Sequence, residues 1–235
     1  MFSIEKRSDL KLKPPKMHCD KPIADDIKPP LPNHSFFMAI LGMPGSGKTS
    51  FAVSLLTDKN AYRGKFNHVE LVLPASSLAS IGNKAIQNHD KIHNDLDYET
   101  LEAIHRRAEE NTKEGETTLV LIDDFSASLK QNDLQKLFKH VVLARRHLRM
   151  SIMMISQTYN SIPLNLRKNL SWIAMFRPVN KAEYRGIFSE LIWMEEKKAD
   201  ALMAWLFREP YDFLLLDVTR SLFHRRFDQI AIKDD

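Results

Sequence analysis

Phe36-Phe37-Met38-Ala39-Ile40-Leu41-Gly42-Met43-Pro44-Gly45-Ser46-Gly47-Lys48-Thr49 carries an apolar strand pattern straight into a glycine-rich turn. Three of the chain's seven glycines fall in it. From Gly42 the spelling is G-x-x-x-x-G-K-[ST], the Walker A phosphate loop, and a helix-like stretch over 50–56 follows. The residue types answer to the chemistry. Glycine lets successive backbone N–H groups turn inward onto phosphate oxygens. The helix opening near Lys48 adds a favourable dipole. Gly42, Met43, Pro44, Gly45, Ser46 and Gly47 are thus expected to cradle the phosphates of ATP. Lys48 would reach the β- and γ-phosphates, and the Thr49 hydroxyl would ligate Mg²⁺. The plainer alternative, a turn with an ordinary lysine, does not explain the strand before it and the helix after it.

Beyond the loop, strand patterns alternate with helical ones, the signature of an α/β fold with a mostly parallel sheet flanked by helices. Strands are expected over 36–41, 69–73, 118–122, 151–155 and 172–176. A helix is expected between 97 and 111, with Leu101, Ile104 and Ala108 on one face. Another runs over 133–146, where Leu134, Leu137, Phe138 and Val141 follow the i, i+3, i+4, i+7 pattern and Asn132 is the capping candidate. A short helix follows Pro163 and an amphipathic one spans 195–208. The end reads as a C-terminal pair of strands, 212–217 and 222–227. Residues 76–96 show no clear period and read as a long loop.

Residues 1–34 differ from the rest. Pro14, Pro15, Pro22, Pro29, Pro30 and Pro32 punctuate them, with Lys6, Arg7, Lys11, Lys13, Lys16, Lys21 and Lys28 between. Repeated proline excludes a helix and disfavours a central strand. An extended Pro/Lys-rich N-terminal arm or strap is expected, dispensable for nucleotide binding, followed by one P-loop domain over 35–235.

Leu119-Val120-Leu121-Ile122-Asp123-Asp124 has the shape of a Walker B strand: a buried strand delivers acids to the sheet edge beside the phosphate loop. Asp123 would hold the Mg²⁺ shell opposite Thr49. Asp124 would orient or deprotonate the attacking water, which argues for hydrolysis. A capping pair after a core strand would look the same in isolation; the upstream phosphate loop decides between them. The next strand ends in Ser156-Gln157. An amide there can touch both the γ-phosphate and the lytic water, although Gln157 alone would pass for a polar strand end.

Net charge is +4, with 34 Lys and Arg against 30 acids, which permits a polyanionic partner without demanding one. A single cysteine, Cys19, rules out an internal disulfide and fits a reducing compartment. No apolar run approaches the roughly 20 residues that span a bilayer. Glu5, Lys6, Arg7 and Asp9 stand where a signal peptide would be apolar. A soluble, intracellular protein with no membrane span is expected.

Three further stretches stand in order after the phosphate loop and the Leu-Ile-Asp-Asp strand. They are Leu143-Ala144-Arg145-Arg146-His147-Leu148-Arg149-Met150-Ser151-Ile152, then Ser156-Gln157-Thr158-Tyr159, then Ile162-Pro163-Leu164-Asn165-Leu166-Arg167-Lys168-Asn169 leading to Phe176-Arg177. Over about 35–177 the chain resembles the genome-packaging ATPases of large nucleocytoplasmic DNA viruses and virophages, the poxvirus-type branch of the FtsK–HerA superfamily. The resemblance implies a RecA-like core, a pentameric or hexameric homo-oligomeric ring, and ATP hydrolysis that drives double-stranded DNA into a capsid. A capsid or portal vertex protein becomes a candidate partner, and the host-cell cytoplasm, viral factory or virion the expected location. Arg146 falls where that family carries its arginine finger and Gln157 where it carries its glutamine sensor. Arg167 matches an arginine without an assigned role. Two positions depart: Asp124 is one methylene shorter than the Glu frequent in the broader superfamily, and Arg145 replaces a usual glycine. Either arginine is therefore a candidate for presentation. On sequence alone, Arg145, Arg146, His147 and Arg149 would pass for bases complementing a helix C-terminus.

Two other classes compete. A nucleoside or nucleotide kinase has this size and loop, but no arginine-bearing lid or acceptor-site Asp-Arg pair is evident. A nucleotide-dependent assembly protein would not need Lys48, Thr49, Asp123 and Asp124 together. No sequence-reading motif is present, so DNA contact is expected through phosphates. Lys84, Lys91, His93, Arg167, Lys168 and the basic arm are the candidates.

Overall fold

The computed structural model describes residue 15 and residues 21–125 and 127–232. Most of the basic arm, including Lys6, Arg7, Lys11, Lys13 and Lys16, and the single Cys19 lie outside the described residues. The described strands are β1 (Phe37–Leu41), β2 (His68–Val72), β3 (Ile92–His93), β4 (Thr118–Asp123), β5 (Met150–Ser156), β6 (Trp172–Phe176), β7 (Phe213–Asp217), β8 (Leu222–Arg225) and β9 (Asp228–Gln229). They form one sheet in the order β3-β2-β4-β5-β1-β6-β7-β8-β9. Pairings from β3 to β6 are parallel; β7, β8 and β9 add on antiparallel.

The continuous apolar runs of β1, β4 and β5 arise because both faces of a parallel sheet are covered. β4 sends Val120 and Ile122 to one core and Leu119 and Leu121 to the other; β1 divides Phe37 and Ala39 from Met38 and Ile40. The first core is closed by α4 (Tyr98–Lys113), α5 (Asn132–Ala144), α6 (Leu164–Arg167), α7 (Lys181–Ile187) and α8 (Glu196–Leu206). The second is closed by α1 (Lys48–Thr57) and by Ile27, Ala61, Tyr62 and Phe66.

Residues 21–34 lie against this second core. Ile27 is buried, Tyr62 Oη donates to the Pro32 carbonyl at 2.9 Å, and Lys65 pairs with Asp26. A deletion up to Ser35 would uncover this surface, a structural cost that proline punctuation alone does not reveal.

Four expectations change. Residues 76–96 are not one irregular loop: α2 (Ala75–Ser80), α3 (Lys84–Gln87) and the edge strand β3 occupy them. Asn83 caps α3 by accepting from Ala85 N at 2.9 Å, and Ile81 and Ile86 are buried. Asn132 is the first residue of α5 rather than its cap; Gln131 stands at the cap without a side-chain bond. The same helix ends at Ala144, so Arg145 to Arg149 form a turn. The expected strand 222–227 breaks at Arg226, whose φ of 55° makes the turn from β8 to β9.

Candidate active site

The chain leaves β1 toward β2 on one side, and later passes β1 on its way from β5 to β6 on the other. The carboxyl end of β1 is thus the topological switch point, where open α/β sheets bind ligands. Three strand ends meet there in register. Leu41 pairs with Ser156, and Asp123 with Ile155. Because β5 lies between β1 and β4, Gln157 is delivered between the phosphate loop and the acid pair.

Gly42 adopts φ 153° and Gly47 φ 99°. A Cβ at Gly42 would lie 2.7 Å from Ser46 Oγ and 2.8 Å from Phe176 Cβ, so only glycine lets the loop fold back on itself there. Gly47 starts α1. The Lys48 side chain runs inside the loop, 8% exposed, and its Nζ donates to the Met43 carbonyl at 2.9 Å. Burial lowers the Lys48 pKa, while Asp124 and Asp123 act in the opposite sense. Thr49 Oγ1 lies 3.5 Å from Asp123 Oδ2. Asp123 is 3% exposed, and its pKa is raised by burial and by neighbouring Asp124, against hydrogen bonding from Ser77.

The residues fit a bound ATP and its metal. Ser46 Oγ is buried with no hydrogen-bond partner, as a hydroxyl awaiting an acceptor would be. A hydroxyl and a carboxylate side by side are oxygen donors of the kind Mg²⁺ takes. Asp124 follows with φ 53°, a left-handed conformation that Asp tolerates better than most residues. The carboxylate is exposed and accepts from Gln157 Nε2 at 2.8 Å. Lys48, Thr49, Asp123, Asp124 and Gln157 are therefore neighbours in space.

Arg146 is not among them. It is exposed in the turn before β5, at the opposite sheet edge. β5 has 7 residues, roughly 23 Å at about 3.3 Å each, so Arg146 cannot reach its own chain's phosphate loop. Arg145 is more buried: its Nη1 donates to the Val142 carbonyl at 2.7 Å, and burial followed by Arg146 lowers its pKa. Of the two, Arg146 is the more exposed.

Three of the residues considered for DNA contact are engaged within the chain. Arg167 binds Glu190 through Nε at 2.9 Å and Nη2 at 2.8 Å, reaches Asn160 Oδ1 at 2.9 Å, and lies over the Tyr159 ring. It braces the turn that follows Gln157. His93 and Lys91 surround the fully buried Glu70, which Arg107 also grips through two nitrogens. Burial pushes the Glu70 carboxyl up, but Arg107 and His93 outweigh it and hold it low. Lys84 and Lys168 remain exposed.

One wall of the site carries no sequence motif. Between α8 and β7, the backbone N–H groups of Arg208 and Glu209 donate to Asp212 Oδ2 at 3.0 and 2.8 Å. Arg225 Nη2 meets the same oxygen at 2.8 Å, and Arg226 Nε lies 2.9 Å from Oδ1. The clamp holds Tyr211 at φ 62°, with its ring beside Gly47. Burial pushes the Asp212 carboxyl up, yet Arg225 and the two N–H groups win and hold it at about 2, against an ordinary 3.8. A depressed carboxylate contributes stability that is complete above the unfolded value and is lost as pH falls toward the folded one. Asp212→Asn is therefore expected to lose more melting temperature at pH 6 than near pH 2, with the gap closing from about pH 4 downward. A deficit constant across that range in parallel melts would contradict this assignment.

Fold and site together define a P-loop NTPase with a RecA-like sheet. Over residues 27–199 the chain matches the Poxvirus A32 protein family, and it belongs to that family. Comparison with curated proteins finds no match. Among solved structures it is similar to the DNA-packaging ATPase B204 of Sulfolobus turreted icosahedral virus, with 17% identity, a TM-score of 0.61, and 84% and 98% of the two chains covered. The B204 NTPase of Sulfolobus turreted icosahedral virus 2, in complex with ATP-gammaS, has 17% identity and a TM-score of 0.58 over 81% of this chain and 96% of that one. The cytoplasmic domain of the type VII secretion ATPase EccC of Thermomonospora curvata has 17% identity and a TM-score of 0.57, with 85% of this chain and 26% of that one covered. No described helix is long and apolar enough to cross a membrane.

Proposed function

We propose that this protein is a genome-packaging ATPase that couples ATP hydrolysis to the translocation of double-stranded DNA. The observation that carries the reading is the convergence of a phosphate loop, a buried Asp123 and an Asp124 hydrogen-bonded to Gln157 at one sheet edge. Membership of the Poxvirus A32 family supports packaging as the task, and B204, named as a DNA-packaging ATPase, has the same fold. The alternatives are less well supported: a nucleotide-dependent assembly protein has no need of a water-positioning pair.

In this reading Lys48 and the backbone N–H groups of Gly45 to Thr49 hold the phosphates. Thr49 and Asp123 would hold Mg²⁺, which would supply positive charge to offset that of the phosphates. Asp124 accepts a proton from the attacking water, and Gln157, bonded to it, aligns that water. The protein would act as a pentameric or hexameric ring, at a capsid or portal vertex in the host-cell cytoplasm, viral factory or virion. Exposed Lys84 and Lys168, with Lys21 and Lys28 of the arm, are the remaining described candidates for phosphate contacts.

The test is the steady-state ATPase rate with and without long double-stranded DNA of unrelated sequences, over a salt series. Stimulation independent of sequence and falling steeply as salt rises is the expected result. Absence of stimulation, or phosphate transfer to a nucleoside acceptor, would overturn the DNA reading.

A further inference from the structure

We infer that the clamped turn from Arg208 to Asp212 forms the nucleobase subsite, with Tyr211 as its stacking wall. The inference rests on the nucleotide reading above and names the part of the ligand that the phosphate loop does not touch. A cavity of about 420 Å³ opens directly off the loop, between Met43, Gly45 and Ser46 on one side and Arg208, Glu209 and Tyr211 on the other. Its size is that of a small-molecule pocket. Phe176 and Arg177 line it as well.

Four observations favour a base as its occupant. Tyr211 is 69% exposed, a large aromatic surface left open at the mouth of a polar site. Its ring stands at the start of α1, where Cδ1 would lie 3.1 Å from a Cβ at Gly47. A base attached to phosphates held by that loop would therefore meet the ring. The ring is also held in place: a bulky residue at φ 62° is uncommon, and buried Asp212 fixes the turn on both sides of it through backbone N–H groups and two arginines. An ordinary surface tyrosine needs no such pedestal. Finally, the unpartnered Ser46 Oγ lies on the same side of the loop as the cavity. Aromatic stacking suits a base because every base offers a π-face.

Binding of a fluorescent ATP analogue, competed by ATP and separately by inorganic tripolyphosphate, tests this in full-length protein. Tyr211→Ala is expected to weaken ATP about tenfold, the effect of losing one base–aromatic stack. Tripolyphosphate binding should be unchanged, KM for ATP should rise with little change in kcat, and Tyr211→Phe should bind ATP as the wild type does. Equal loss of ATP and tripolyphosphate would overturn the proposal and make Tyr211 a brace for the loop. Unchanged ATP affinity in Tyr211→Ala would overturn it too. Failure of the nucleotide reading itself looks different: the wild-type protein would bind neither competitor, or would bind both equally well with Lys48→Ala.

Discussion

Lys48→Ala is expected to abolish measurable ATP hydrolysis, a loss of at least about 10³-fold, while the protein stays folded. The lysine reaches into the loop from α1, is nearly buried, and in the structure holds the Met43 carbonyl. That bond is local and replaceable by water, so truncation removes charge from the phosphate site without opening a core. The substitution also removes the Lys48 charge that offsets Asp123 and Asp124, which raises the cost of bringing a polyanion there. Asp124→Asn separates chemistry from binding. Asn tolerates the left-handed backbone of this position, so the turn after β4 should survive. ATP should bind normally and turn over at least about 100-fold more slowly, the usual contribution of a positioned general base. Wild-type turnover in Asp124→Asn would remove the water-activating role. Circular dichroism and melting curves matching the wild type would confirm that neither loss reflects unfolding.

The parts of the site that could be read in the sequence are those whose chemistry constrains residue type. Gly42 and Gly47 must be glycine for backbone reasons, and the centres of β4 and β5 run apolar because both faces are buried. Gln157 was legible as the polar end of its strand and, through the resemblance, as a sensor; the strand order and its 2.8 Å bond to Asp124 supply the geometry. What escaped reading depends on contacts distant in sequence. The segment around α2, α3 and β3 is ordered by the buried Glu70, whose partners Lys91, His93 and Arg107 look like surface residues one at a time. Helix α7 was missed because Gly186 interrupts its pattern, although Asn180 three residues before Glu183 is a legible cap: its side chain accepts from Glu183 N at 3.3 Å. The Tyr211 wall had no signal, because a tyrosine before an aspartate acquires meaning only when β8 brings Arg225 beneath it.

Arg146→Ala should bind ATP with unchanged affinity yet hydrolyse it about 10³-fold more slowly, and the reason has to come from a second subunit. Within one chain the guanidinium lies at the amino end of β5, the full length of that strand from Gln157. No side chain spans that distance. An effect on turnover can therefore arise only if a neighbour presents this edge to the phosphates, where a fixed positive charge stabilises the negative charge developing on the transferred group. Arg145 is the weaker candidate because it is less exposed than Arg146 and sits on the Val142 carbonyl, and Arg167 lies beside Glu190 at the other end of β5. Complementation decides the matter. Rings assembled from Arg146→Ala and Lys48→Ala subunits contain some interfaces that pair an intact Lys48 with an intact Arg146 from the adjacent chain. Those interfaces should hydrolyse ATP, so mixing two inactive proteins should restore part of the wild-type rate, in proportion to the share of such interfaces. Rings shown by native mass spectrometry to be mixed, yet still inactive, would rule out a trans role for Arg146. A normal rate in Arg146→Ala alone would rule out any role in turnover.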